Sequence, residues 1–237
     1  MNVNTLFEGI PTDQAHQKEY QSGVQYRSIC AECNNVVLGA CDPVYKEFSH
    51  EIAEIISSSI VVPQIVTIPV QINKLCRAVL GHMLVAKEFY DKDCLIDVNL
   101  REYVLGKISK PDVKLYYWIY PYSTVFNIRD VVTRGYNTED PAIPQSTISV
   151  MASFPVAYMI TESEDTVAGL HDLIQYTTDN IDDVVDIPID FATAVRPGTN
   201  TVRHFAWPCN IGDEIAMVLA GEAGSEDSRL GVPRKTK

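Results

Sequence analysis

The chain has 237 residues, 46% of them hydrophobic and 21% charged, with a net charge of −12. That length and balance call for a packed core, in one large domain or in an ordinary one with a small module attached, and exclude wholesale disorder. The acidity argues against a generic nucleic-acid binder. MNVNTLFEGIP has neither part of a secretory signal, and the most apolar run, Ile60 to Val70, is broken by Pro63, Gln64 and Pro69 and too short for a bilayer, so a soluble, cytoplasmic protein without a membrane partner is expected.

Residues 1–23 are polar and carry His16. They read as a loop or extended segment feeding a short strand-like run, Tyr26, Ser28 and Ile29, before Cys30. Asn34 or Asn35 is expected to cap a short turn that Gly39 ends. Asp42-Pro43 signals a helix start, with Asp as N-cap and Pro at the first helical position. The stripe Val44, Phe48, Ile52, Ile55 and Ile56 carries that helix from about Val44 to Ser57, with His50 on the opposite face. Ile60 to Val70 is rich in β-branched residues and reads as a strand, its prolines marking an edge or an irregular path. A second helix, about Val70 to Tyr90, buries Ile72, Leu75, Cys76, Val79, Leu80, Met83 and Ala86 and places Lys74, Arg77, Gly81 and Glu88 on the other face. Cys76 is then a small core residue, and His82, at the margin of the stripe, a partly buried structural histidine.

Asp97 to Gly106 forms a short helix ended by its glycine. Lys114 to Tyr122 and Thr124 to Val132 have the content of paired strands, and Ser146 to Thr161 reads as one long bent strand or a hairpin around Phe154-Pro155. The aromatics Tyr116, Tyr117, Trp118 and Tyr120 read as sheet core, since no basic residues interleave with them as a nucleobase-stacking surface would want. Val167 to Tyr176 looks helical, Asp179 to Asp190 is an acidic loop leading into a strand, Trp207 to Ala220 closes the ordered part and Gly221 to Lys237 reads as a mobile tail. The fold class is α+β: a segment over 1–58, a domain over 59–220 whose sheet is mostly antiparallel, and a tail over 221–237.

Chemistry concentrates in YRSICAECNNVVLGACD, Tyr26 to Asp42. Two residues between Cys30 and Cys33 let one tight turn aim both sulfurs at a tetrahedral Zn²⁺ while the amides of the turn hydrogen-bond to the thiolates. Six cysteines in a chain of this size, without an export signal, are expected to stay reduced, so the pair is half a metal site or a redox dithiol. The redox reading needs one thiol of lowered pKa, and Glu32 between the cysteines opposes it. Residues 61–135 are the basic third, with 10 Lys and Arg against 7 Asp and Glu. A phosphate-facing surface belongs there, with Lys74, Arg77 and the knuckle residue Asn34 as candidate nucleic-acid contacts; the alternative is ordinary solvated charge. No P-loop, G-x-G-x-x-G or G-x-S-x-G is present, which removes nucleotide hydrolysis and serine-hydrolase chemistry from the leading readings.

Ser28 to Asp42, a C-x-x-C followed by Asn, Leu-Gly and then a helix, is similar to the second half of the zinc-stabilised treble-clef module of HNH-type endonucleases. Leu6 to Pro11, LFEGIP, looks like the loop leading from the catalytic histidine of that family toward this knuckle, and YYWIYP and SFPVAYMIT resemble companion regions in the same group. The resemblance implies structural zinc. The family's earlier C-x-x-C and acid-His pair are absent: upstream of Cys30 there is no cysteine, and the single histidine, His16, follows Ala15. Two accounts fit, a remnant without catalysis or a different Cys₃His zinc site made by Cys30, Cys33, Cys41 and His16. The leading expectation is therefore a non-catalytic, degenerate HNH-like zinc protein that binds nucleic acid or a protein partner. The alternatives are a metal-dependent HNH-type endonuclease completed by His16 or by another chain, and a globular protein without metal.

Overall fold

The computed structural model describes residues 29–58, 64–86, 94–120, 126–134, 145–163 and 170–191. The expected loop over 1–23 with His16, the closing segment Trp207 to Ala220 and the tail over 221–237 lie outside them.

Proline lacks the amide that a first helical turn leaves unpaired anyway, so Pro43 starts a helix without loss. Helix α1 spans Asp42–Ser57 and buries Phe48 and Ile52. Its N-cap is Cys41 and not Asp42, and no side chain caps it. The Asp42 carboxylate instead meets His82 Nε2 at 2.9 Å, a tertiary partner that outcompetes the local cap. His82 is thereby the partly buried structural histidine the stripe implied.

Strand β1, Ile65–Gln71, pairs antiparallel with β7, Val184–Asp190, in the register Ile68 opposite Ile187. Both strands of a two-stranded ribbon are edges, which is why Pro69 and Pro188 are tolerated in them. Their alternation sends Ile68, Val70, Ile187 and Ile189 into the core.

Helix α2, Ile72–Val85, follows β1 directly and is the central element. Ile72, Leu75, Cys76, Val79, Leu80 and Met83 of the expected stripe are fully buried, but Val70 belongs to β1 and Ala86, half-buried, is the C-cap, so the helix is shorter than the expected Val70 to Tyr90. Gly81, expected on the polar face, is buried too: a β-carbon there would overlap Leu38 Cδ2, so this face is covered by the segment before α1. Helix α3, Leu95–Val104, packs on α2 and leaves through Gly106 at φ 74°.

A five-stranded antiparallel sheet has the order β3-β4-β5-β2-β6, with β2 Val113–Ile119, β3 Phe126–Arg134, β4 Gln145–Ser153, β5 Val156–Glu162 and β6 His171–Asp172. Successive strands β2 and β3, expected to pair, do not. Strand β2 is buried on both faces, with Leu115, Tyr117 and Ile119 toward the helices and Tyr116, Trp118 and Tyr120 opposite, and an interior strand takes β5 and β6 as neighbours. The aromatic stripe is sheet core, as read. Strands β4 and β5 form the hairpin around Phe154-Pro155.

The expected helix Val167 to Tyr176 is absent where it is described. Residues 171–172 are the edge strand β6 and Leu173–Tyr176 a 3₁₀ turn. The Asp172 carboxylate accepts from the amides of Leu115 at 3.0 Å and Ile174 at 2.9 Å, and those bonds hold the chain to β2 where helical propensity alone would curl it. Leu38, Phe48 and Ile52 share one hydrophobic cluster with α2, α3, β2 and β5, so the described part of residues 1–58 has no core of its own.

Candidate functional site

Cys30 is exposed and immediately precedes a helical turn whose residues Cys33–Leu38 form a π-helix. The amide of Asn34 donates to Cys30 O at 3.0 Å, and that of Gly39 to Asn34 O at 3.0 Å across the wide π turn. At Gly39 a β-carbon would overlap the carbonyl of Asn35, so the glycine of the Leu-Gly pair is there for close approach of backbone to backbone. The Asn34 side chain donates to Asn35 Oδ1 at 3.2 Å and caps nothing, which corrects the expected asparagine cap.

Within the turn the Cys33 amide donates to Cys30 Sγ at 3.3 Å. That bond, first, and the Cys33 thiol, second, hold the Cys30 thiol below its ordinary pKa. The charge of Glu32 pushes the other way and is outweighed. Cys33, half-buried, is pushed up by its bond to the Cys30 sulfur and by burial. The two thiols are thus unequal: Cys30 is exposed with its pKa lowered, Cys33 half-buried with its pKa raised.

The remaining candidates are placed as follows. Cys41 is 5% exposed, at the foot of α1, and burial raises its thiol pKa. Among the described residues no group of three or more His, Cys, Asp or Glu is gathered as a metal site. His16 lies outside the described residues. Lys74 Nζ pairs with Asp182 Oδ1 at 2.7 Å and reaches Gln71 Oε1 at 3.2 Å. The Arg77 guanidinium lies 5.5 Å from the centre of the Tyr103 ring. Both cations therefore have partners inside the protein, and Asn34 alone of the three nucleic-acid candidates is exposed.

Sequence reasoning missed a cavity. About 190 Å³ opens beneath the cysteine turn, between Val37 and Leu38 of the turn, Leu84 of α2 and Val104 of α3. Cys30, Cys33 and Arg101 also face it. One signal was legible: a glycine in the middle of a helix costs about 1 kcal/mol against alanine and points to a packing reason, and Gly81 lines this cavity. Comparison with family models, with curated proteins and with solved structures finds no match.

Proposed function

We propose that the chain is a zinc-binding protein in which the Cys30–Cys33 turn supplies two ligands, and that it acts by binding a nucleic acid or a protein partner in the manner of a degenerate HNH-like module. The observation that carries this reading is the Cys33 amide donating to Cys30 Sγ, the bond that stabilises a ligating thiolate. The order of cysteine pair, asparagines, Leu38-Gly39 and helix α1 is also the order the resemblance implies. The pair fits half of a tetrahedral site. Cys41 and His16, or a ligand from another chain, would supply what the turn lacks; bound zinc would fix the turn in place and contribute to folding.

The test is titration of the reduced protein with Co²⁺. A thiolate-to-metal charge-transfer band is expected, abolished in Cys30→Ser and Cys33→Ser, and weakened in His16→Ala if that residue is a ligand. Absence of the band together with unchanged alkylation of both thiols in excess Zn²⁺ overturns the reading.

A second reading is favoured by the inequality of the two thiols. An exposed Cys30 whose pKa is lowered, beside a half-buried Cys33, suits thiol–disulfide exchange, in which Cys30 attacks a disulfide sulfur, expels a thiolate, and Cys33 then displaces the bound half.

A further inference from the structure

The cavity beneath the cysteine turn has the dimensions and lining of a ligand site. A dry apolar cavity of about 150 Å³ takes benzene, and this one offers about 190 Å³. Size alone does not choose between an aromatic and an aliphatic occupant. The lining does: Cys30, Cys33 and Arg101 border the space among aliphatic side chains. Sulfur contacts with an aromatic ring and a cation over its face each favour it by about 0.5–1 kcal/mol, which a saturated ring of equal volume forgoes.

We propose that this cavity is a binding site for an uncharged single-ring aromatic molecule, and that its occupant bears on the Cys30–Cys33 turn that forms one of its walls. The turn is joined to the helices through Leu38, which is 2% exposed and seats where Gly81 has no side chain. An occupant touching Val37, Leu38, Leu84 and Val104 therefore holds the turn against α2 and α3, and Cys30 and Cys33 border the same space. The site stands on the cavity and its lining; only its coupling to metal rests on the zinc reading. If zinc favours the same placement of the turn, ligand and metal strengthen each other by the same factor.

The experiment titrates full-length, reduced, metal-free protein with fluorobenzene, followed by the ¹⁹F line width, with cyclohexane as competitor. Saturable binding at one site is expected, with cyclohexane weaker by about threefold or more, and Cys30 alkylation by iodoacetamide slowed several-fold at saturation. Leu84→Trp and Leu105→Trp fill the cavity from different sides and should each weaken fluorobenzene by about tenfold or more with the circular dichroism spectrum retained. Leu105 is 38% exposed, so its variant folds even where a tryptophan at Leu84 is not accommodated. Lack of saturable binding by folded wild-type protein, or undiminished binding by Leu105→Trp, overturns the site. Fluorobenzene binding without Zn²⁺ binding keeps the site and removes the zinc reading; Zn²⁺ binding without fluorobenzene binding does the reverse. Equal fluorobenzene affinity with and without bound Zn²⁺ removes the coupling.

Discussion

Cys30 and Cys33 stand on one turn with two residues between them and are unlike in chemistry, because the Cys33 amide donates to the exposed Cys30 sulfur while the Cys33 thiol is half-buried. The lowered Cys30 pKa means that its thiolate persists as pH falls below the ordinary thiol range, near about 8.5. Iodoacetamide at neutral pH should therefore label Cys30 before Cys33, as read by peptide mass, and Glu32→Gln should speed Cys30 further by removing the opposing charge. Equal labelling of the two would contradict the geometry. Cys41 has the opposite sign: its folded pKa is raised by burial, so its contribution to stability is present below the unfolded thiol value and declines as pH rises through the folded one. Cys30, Cys33 and Asn34 were legible as a motif because spacing along one turn is local. That Cys41 is buried was not, since its place depends on how α1 seats against α2.

At the scale of elements, the helices with a clear apolar stripe and glycine or proline punctuation, α1, α2 and α3, stand close to where periodicity put them. Residues 171–176 do not, and Asp172 is the reason. One carboxylate holds both the edge of β2 and the first turn of the 3₁₀ segment. Asp172→Ala leaves those amides without that acceptor and should lower unfolding free energy by about 1–3 kcal/mol, measured in urea. Asp172→Asn keeps an acceptor oxygen and should lose less. A neutral Asp172→Ala would show that water replaces the carboxylate at no loss and that strand pairing by itself sets the segment.

At the largest scale, the described helices pack with antiparallel strands of both sheets in one cluster while the far face of the five-stranded sheet carries a second, the α+β class that the change of pattern along the chain announced. No helix among the described residues is long and apolar enough to cross a membrane. On the reading proposed above the chain should not cut DNA: plasmid incubated with the protein and Mg²⁺ or Mn²⁺ is expected to stay supercoiled, and nicking that His16→Ala abolishes would make the chain a nuclease. By itself the sequence determined helices α1, α2 and α3, the spacing of Cys30 and Cys33 and the aromatic strand as core, because each rests on periodicity or on contacts within a few residues. Tertiary structure alone decided that β2 pairs with β5 and not with the strand that follows it, that Gly81 lies under Leu38, and that a cavity opens beside the thiols. Those features arise where segments distant in the chain meet, and no local spacing encodes the volume left between them.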